Sequence, residues 1–303
     1  MNSKPALFDL HLHTWWSFDA TNNPEHYFRC ASRLGMRCIA ITDHHHIDSR
    51  EEVDRLAACY PQVRVIRAAE LSVKTSFGSF DLLCYRLPDQ PAGALAEVLE
   101  YYRRYPFEHG MALCRGMTAL GYPYGEADLL ELLKSYRPAH VIARQGITMP
   151  ANAKKIQDFA QRGWVADRAA FGRLVEEHPE VFQFPSYLPV EQVVPAVRAA
   201  GGVVVLAHPF RYLGSDLKKM EAVCEECQLD GLECAHPAVP PEMTVFYREF
   251  CRRRGLISTA GSDSHYPEVF EPPEEGWGYS ARPVFGAHLG EAAWLDEFLE
   301  RVQ

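Results

Sequence analysis

Two histidines, His11 and His13, are separated by one residue in the stretch DLHLHTWWSFDA at residues 9–20. Side chains two residues apart on a β-strand point to the same face, so these imidazoles are predicted to project together. A pair held in this way can bind one metal ion, and Asp19 follows six residues after the second histidine. A short motif of this kind also fits one core histidine and one exposed histidine, so the rest of the sequence must decide.

Further imidazoles and carboxylates stand where other apolar runs end. His44 follows AITD, Glu70 lies in RAAELS, and His208 lies in VVVLAHP. Asp263 and His265 lie in GSDSH. Because the carboxyl ends of parallel strands in a β/α sheet converge on one face, these groups are predicted to meet. About eight such ligands exceed one tetrahedral site and suit a cluster of two or three divalent ions.

A cluster of this composition indicates hydrolytic chemistry. Imidazole suits Zn, Fe and Mn, whereas carboxylates suit harder ions and can bridge two metals. Glu70 is predicted to be the bridging carboxylate. Such ions activate water and clamp phosphoryl oxygens, so the expected reaction is hydrolysis of a phosphate ester by a metal-activated hydroxide. His208 or His265 is the alternative group to carry a proton to the leaving oxygen.

Alternating strand-like and helix-like runs must position these residues. Parallel strands are predicted at 6–13, 37–44, 63–72, 203–209, 232–237 and 256–265, with a hairpin arm at 76–87. The middle of the chain reads as helices at 93–105, 108–121, 125–136, 152–163 and 167–178. The predicted fold is therefore an α/β barrel-like sheet at 1–91 and 186–303, interrupted by a helical insertion or cap at 92–185.

Composition and charge restrict the class of protein. The 303 residues carry a formal net charge of −9, which argues against a broad surface for long nucleic acid but not against a nucleotide or a chain end. No apolar run approaches twenty residues, so no membrane span is expected. The N-terminus shows no secretory pattern, and nine scattered cysteines favour reduced thiols in the cytoplasm.

Basic residues are concentrated in the predicted insertion. The segment from Arg137 to Arg173 contains seven basic residues and two acidic residues. This excess of positive charge fits either a solvated helix face or a phosphate-binding patch. Arg211, just after the His208 strand end, and His236, in ECAHP, are further candidates to contact substrate. The histidines at 26, 109, 178 and 288 have no such partners in the sequence and are expected to face solvent.

The motifs DLHLHTWWSFD, AITDHH, AAELS, VVVLAHP and GSDSH, in this order, resemble the PHP (polymerase and histidinol phosphatase) family. The resemblance covers residues 6–90 and 186–270, and is greatest to bacterial metal-dependent phosphoesterases with a helical insertion. It implies a distorted (β/α)7 TIM-like barrel with a trinuclear metal centre. It also implies hydrolysis of phosphate esters, including those of nucleotides or oligonucleotide ends.

The resemblance implies metal ligands at His11, His13, Asp19, His44, Glu70, His208, Asp263 and His265. A further histidine of the family falls on Asp81 of DLLCY, and aspartate can also bind a metal. In the insertion, RPAHVIAR resembles a substrate-binding run of the family in which Arg144 matches.

Two alternatives are compatible with the same motifs. An amidohydrolase-type C–N hydrolase also uses two histidines separated by one residue on its first strand. A non-catalytic binding protein would keep the barrel but lose metal ligands. A panel of phosphate esters, amides and lactones separates the first alternative from a phosphoesterase, and metal analysis tests the second.

Overall fold

The computed structural model describes residues 6–267 and 284–302. Seven strands follow one another in a single sheet in chain order. Their bounds are Phe8–Leu12 (β1), Cys38–Ile41 (β2), Arg64–Thr75 (β3), Gly78–Tyr85 (β4), Val203–Leu206 (β5), Gly231–Ala235 (β6) and Ile257–Ala260 (β7). The sheet curls until its ends meet: Asp263 donates its backbone N–H to the His11 carbonyl (2.9 Å), and His13 donates to the Ser264 carbonyl (2.9 Å). The predicted α/β barrel of TIM-like form is confirmed.

One strand distorts the barrel, as the predicted hairpin arm requires. β4 runs antiparallel to both β3 and β5, whereas the other paired strands are parallel. Asp81 in the N-terminal half of β4 therefore pairs with Ser72 near the end of β3, and its carbonyl accepts from the backbone N–H of Ala207 (2.9 Å). The reversal carries Asp81 to the carboxyl ends of the neighbouring strands.

Helices separate most of the strands. They span Pro24–Leu34 (α1), Arg50–Cys59 (α2), Gly93–Ala119 (α3), Glu126–Lys134 (α4), Ala139–Gln145 (α5), Asn152–Gln161 (α6), Arg168–Glu177 (α7), Val190–Ala199 (α8), Phe210–Leu213 (α9), Leu217–Glu226 (α10), Pro241–Arg254 (α11) and Ala292–Arg301 (α12). None of those described combines the length and hydropathy that crossing a bilayer needs. Neighbouring residues define both ends of helix α1. The Asn23 side chain accepts from the Glu25 N–H (2.8 Å), and Gly35 ends the helix at φ +67°.

Contacts divide the chain into two compact units. Unit 1 comprises Met1–Thr14, Asn22–Leu99 and Tyr187–Gln303, and contains the barrel strands. Unit 2 comprises Trp15–Thr21 and Glu100–Ser186, and its interior is built from helices around aromatic side chains such as Tyr124, Phe159 and Phe171. The boundaries that the sequence predicts for the helical insertion, residues 92–185, stay a prediction.

One helix prediction is wrong. Residues 93–105 and 108–121 are not two helices, because α3 continues through Pro106. A proline inside a helix removes one backbone hydrogen bond. Buried side chains on both sides of it, including Tyr102 and Leu113, belong to one apolar face, and their burial keeps the two segments in a single helix.

Candidate metal centre

The first strand directs three polar side chains into the barrel of unit 1. Asp9, His11 and His13 alternate along β1 and its end, and all are fully buried. The Nε2 atoms of the two imidazoles lie 3.1 Å apart. The Asp9 carboxylate instead binds backbone, since it accepts from the N–H groups of Ser262 and Gly286 (2.9 Å each). The strand thus supplies two metal-ligand candidates and one carboxylate that holds neighbouring backbone.

Glu70 lies at the centre of the cluster. Its Oε2 atom is 3.4 Å from His11 Nε2, 3.1 Å from His13 Nε2 and 3.1 Å from His44 Nδ1. Its Oε1 atom is 3.2 Å from His208 Nε2. The β2–β3 junction fixes this position, because Glu70 exchanges backbone hydrogen bonds with the chain that follows β2. One carboxylate therefore faces imidazoles from three different strand ends.

The end of β7 adds Asp263 and His265. Asp263 Oδ1 lies 3.4 Å from His11 Nε2 and 3.3 Å from His13 Nε2. The His265 ring stacks on that of His13 with centroids 4.2 Å apart. His265 Nδ1 lies 2.7 Å from the Asp263 carbonyl oxygen, which can only accept, so Nδ1 donates. In the neutral ring Nε2 then keeps its lone pair for a metal.

Asp81 joins the cluster through the reversed strand. Its Oδ2 atom is 3.9 Å from His208 Nε2. Ser72 donates its hydroxyl to Oδ1, and Tyr212 donates its hydroxyl to Oδ2, at 2.5 Å each. These two donors orient the carboxylate, and each oxygen retains a further lone pair for a metal.

Within the described residues, the predicted ligands other than Asp19 form three overlapping groups, each with ligand atoms within 4.8 Å of one another. The groups are His13, His44 and His265; His11, His13, Glu70 and Asp263; and Glu70, Asp81 and His208. Ligands about 2.1 Å from a common ion lie about 3.0–3.5 Å apart, which is the spacing seen around Glu70 Oε2. That oxygen is buried and makes no hydrogen bond within the described residues. The donor set therefore fits divalent ions.

The electrostatics of the cluster favour a bound cation. Burial lowers the pKa of His11, but the Glu233, Glu70 and Asp263 carboxylates outweigh it and hold that pKa well above its ordinary value. Burial raises the pKa of Glu70, but His11 and His44 outweigh it and hold that pKa well below its ordinary value. The acids thus attract positive charge strongly, and a metal ion can take the place of the proton on a ligand nitrogen.

Backbone strain is concentrated at the same strand ends. His208 and Asp263 have φ values of +31° and +53°, in the left-handed region that non-glycine residues rarely adopt. Residues held in this way cost about 1–3 kcal/mol each and persist only when the surrounding structure enforces them. Here the strain accompanies two residues whose side chains point into the cluster.

Two buried acids that the sequence analysis did not assign support the ligands. Glu233 on β6 accepts from His11 Nδ1 at 3.0 Å and from the backbone N–H of His208 at 2.8 Å. Asp43 accepts from the Thr14 N–H at 2.7 Å and from the Thr14 hydroxyl at 2.9 Å. The signal for Glu233 was an acidic residue inside the apolar run LECA, but its partner lies 222 positions away.

Two predicted substrate contacts lie beside the cluster in unit 1. Arg211 places its guanidinium 3.1 Å from Asp263 Oδ2, with about half of the side chain exposed. His236 Nε2 lies 3.6 Å from the same oxygen and is buried. His236 Nδ1 accepts from the Ala238 N–H (3.0 Å), so the proton of the neutral ring is on Nε2.

Two other predicted residues belong to unit 2. Asp19 is half-buried in the segment Trp15–Thr21, and Arg144 is exposed in the last turn of α5. His140 on the same helix contacts Trp15 and Trp16 edge-on, with centroids 5.3 and 5.7 Å away. Metal binding by Asp19 and substrate binding by Arg144 stay predictions.

Of the histidines expected to face solvent, His288 is buried and His109 is half-buried, so that expectation is wrong for both. His288 lies within hydrogen-bond distance of the Phe8 carbonyl through Nε2 (2.7 Å), and its Nδ1 accepts from the Gly290 N–H. His109 stacks on Phe184 with centroids 4.2 Å apart, and burial lowers its pKa to about 4. Packing against other parts of the chain covers both side chains, and no local motif predicts this packing.

Comparison with known proteins gives a family, named relatives and similar structures. The family model for the PHP domain matches residues 9–157. A 5′-3′ exoribonuclease of Haemophilus influenzae is 22% identical over 263 residues, covering 86% of this chain and 90% of that protein. The 5′-3′ exoribonuclease Rnm of Escherichia coli is 23% identical over 269 residues, covering 86% of each.

Two solved structures share the fold over nearly the whole chain. One, from Bifidobacterium adolescentis and named as a metal-dependent phosphoesterase, has a TM-score of 0.69 at 23% identity and covers 97% of this chain and 96% of its own. The other, an amidohydrolase from Chromobacterium violaceum with bound sulfate, has a TM-score of 0.71 at 22% identity and covers 98% and 97%.

Proposed function

Since this chain belongs to the PHP family and is a metal-dependent hydrolase, we propose that it cleaves phosphate esters of nucleotides or of oligonucleotide ends. The observation that carries the proposal is the set of three ligand groups joined through His13 and Glu70. Two or three divalent ions, of Mn, Fe or Zn, suit these groups because they combine imidazoles with carboxylates.

Bound ions would supply positive charge to the phosphoryl oxygens and lower the pKa of water at the reacting centre. The protein's own part is to hold the ligands and the ester. Glu70 faces both the His13 side and the His208 side of the cluster, so it is the proposed bridging carboxylate. As an alternative to binding metal, His265 or His208 is the proposed carrier of the proton that the leaving oxygen needs.

Two substrate contacts are proposed from side chains of unit 1 that border the cluster. Arg211 retains donors beyond its contact with Asp263, so it can bind a phosphoryl oxygen with its exposed guanidinium edge. His236 carries its ring proton on the buried Nε2 atom, 3.6 Å from Asp263 Oδ2, and this N–H can donate to the ester. Arg144 is the proposed phosphate contact from unit 2.

The substrate class rests on charge and on the named relatives. A net charge of −9 disfavours a long nucleic-acid surface, whereas a nucleotide or a chain end needs only a few cationic contacts. The relatives are named as 5′-3′ exoribonucleases, which favours an RNA 5′ end over a sugar phosphate. None of the nine cysteines, all of them in described residues, forms a disulfide, and this supports the cytoplasm as the proposed compartment.

The test is a substrate screen with defined metals. Metal-free protein is reloaded separately with Mn²⁺, Fe²⁺ or Zn²⁺ and assayed on aryl phosphates, mononucleotides and short 5′-phosphorylated RNA. We expect ester hydrolysis that His11→Ala abolishes and that the control His178→Ala, a surface histidine of unit 2, leaves unchanged. Equal hydrolysis by wild type and His11→Ala would overturn the proposal.

The same screen includes amides and lactones. Cleavage of these compounds without phosphate-ester hydrolysis would favour the C–N hydrolase alternative. Failure to bind metal together with hydrolysis of none of these compounds would favour the non-catalytic alternative.

A further inference from the structure

We propose that Glu233 is a positioning residue that fixes the tautomer of His11 and thereby makes its Nε2 atom the metal ligand. The inference rests on the proposed function only in assuming that the cluster binds metal. Glu233 is fully buried in β6, and both of its oxygens contact a residue assigned to the cluster. None of the sequence motifs assigned it a role.

The two contacts determine which atoms carry protons. Oε2 faces the backbone N–H of His208 at 2.8 Å, and a backbone N–H can only donate. Oε1 faces His11 Nδ1 at 3.0 Å. A carboxylate oxygen accepts hydrogen bonds, so the contact makes Nδ1 the donor. With the proton held on Nδ1, Nε2 is the ring nitrogen that can offer its lone pair to a metal ion.

That lone pair points where a metal ion would bind. His11 Nε2 is 3.1 Å from His13 Nε2 and 3.4 Å from both Glu70 Oε2 and Asp263 Oδ1. A ligating histidine commonly donates its second N–H to a carboxylate, which orients the ring and raises its basicity. Glu233 meets this requirement for His11.

The surrounding backbone is shaped around this contact. A Cβ atom at Gly261 would lie 2.3 Å from His11 Cβ and 2.9 Å from Glu233 Oε1. Only the absence of a side chain at this position leaves room for the imidazole and the carboxylate together. The glycine of the GSDSH motif therefore serves the contact between Glu233 and His11.

The same carboxylate reaches a second ligand. By accepting from the His208 N–H, it helps to hold that residue in its left-handed backbone conformation at φ +31°. Glu233 thus joins a ligand after β5 to a ligand in β1 through a residue of β6. Loss of one oxygen acceptor must disturb one of the two ligands.

Glu233→Gln tests the inference because glutamine has the same shape but only one acceptor oxygen. The fixed N–H of His208 requires that oxygen, so the amide NH₂ must face His11 Nδ1. The ring must then accept at Nδ1 and carry its proton on Nε2, where it can no longer bind a metal. Glu233→Asp keeps two acceptors and is the conservative variant, while exposed Glu191→Gln on α8 is the surface control.

The first measurement is Zn²⁺ affinity by competition with a chromophoric chelator. We expect Glu233→Gln to bind the weakest-held ion about 10–100-fold less tightly, Glu233→Asp to recover part of the loss, and Glu191→Gln to match wild type. Unchanged affinity in folded Glu233→Gln would overturn the inference. If that variant does not fold, the histidine spectrum of the wild-type protein decides the inference: a proton on His11 Nδ1 supports it, and a proton on Nε2 overturns it.

The second measurement is ¹⁵N–¹H spectroscopy of histidines in the Zn²⁺-loaded protein, with His11 assigned by its absence in His11→Ala. Wild type should show a proton on Nδ1 and a coordinated Nε2, and Glu233→Gln should show the reverse proton position. A wild-type ring with its proton on Nε2 would refute the inference. Neither measurement uses a substrate, so failure to hydrolyse phosphate esters would refute the proposed function and leave this result standing.

Discussion

The two units of the chain bury opposite charges. Among the described residues, the fully buried acids all belong to unit 1: Asp9, Asp43, Glu70, Glu233 and Asp263. The buried lysine and arginine side chains, Lys155 and Arg137, both belong to unit 2. Burying a charge is costly unless it is paired or hydrogen-bonded, so each unit must satisfy its charges in its own way.

The units satisfy them differently. Unit 2 holds Arg137 with neutral oxygens, those of Thr148, the Trp16 carbonyl and Gln145, and it places the Lys155 amine 4.3 Å from the centre of the Phe171 ring. Unit 1 places imidazole nitrogens beside Glu70, Glu233 and Asp263. Its other two buried acids accept hydrogen bonds from backbone N–H groups or from a hydroxyl. A proposed set of divalent ions would complete the acid-rich interior of unit 1.

The largest expected effect is on His13, because it belongs to two of the three ligand groups. His13→Ala should lower metal stoichiometry and reduce phosphate-ester hydrolysis by at least about 10³-fold, equivalent to about 4 kcal/mol of transition-state stabilisation. Elemental analysis and steady-state kinetics measure both quantities. Lys155→Met, a substitution in unit 2, is the control and should leave the metal content of the protein unchanged. Loss of metal from this control as well would show that the effect of His13→Ala is not specific to the ligand groups of unit 1.

Substitution of the buried Arg137 tests how unit 2 satisfies its buried charge. Arg137→Met deletes hydrogen bonds to three neutral oxygens and should reduce the free energy of unfolding by about 2–4 kcal/mol. Metal content should stay at the wild-type value. Chemical denaturation and elemental analysis on the same preparation check the two statements, and a stable variant would show that these contacts contribute little.

Lys155 should make the stability of the protein depend on pH. Burial, followed by repulsion from Arg168, lowers the pKa of its amine to about 8 from 10.5. Between these values the unfolded chain binds a proton that the native chain has released, so stability should rise with pH across this window by about 2–3 kcal/mol. Denaturation from pH 7 to 10 should show the rise in wild type, and Lys155→Met should show a smaller slope. Parallel slopes would contradict the assignment.

The smallest expected effect concerns the make-up of the third ligand group. Glu70, Asp81 and His208 offer two carboxylates and one imidazole, whereas His13, His44 and His265 offer imidazoles alone. Asp81→His should therefore shift the metal preference of the third group from Mn²⁺ toward Zn²⁺ by roughly tenfold. Competition titrations of the two metals measure the ratio. An unchanged ratio would mean that Asp81 does not contact the ion.

The sequence predicted the features of the fold and the site that follow from local patterns of residues. Alternation along β1 indicated that His11 and His13 share a face, and strand ends indicated that Glu70, His208 and Asp263 converge, as the structure places them. These predictions succeed because the two-residue period of a strand and the polarity of parallel sheets follow from backbone geometry alone.

The features that the sequence did not predict depend on contacts between residues that are distant in the chain. Glu233 supports His11 across 222 positions, and no spacing in the sequence links the two. Pro106 is a helix breaker by local rules, yet the buried face of α3 continues through it. His288 has no polar neighbour in its motif but lies within hydrogen-bond distance of Phe8. In each case burial or a long-range hydrogen bond overrode the local signal.

The central claim is that the interior of unit 1 binds divalent ions through the overlapping ligand groups. Crystals grown with Mn²⁺ and with Zn²⁺, measured at the absorption edge of each metal, test it most directly. We expect two or three anomalous peaks, each within about 2.0–2.3 Å of ligand atoms, with Glu70 touching at least two of them. No peak among these residues with millimolar metal present, or peaks only at surface sites, would contradict it.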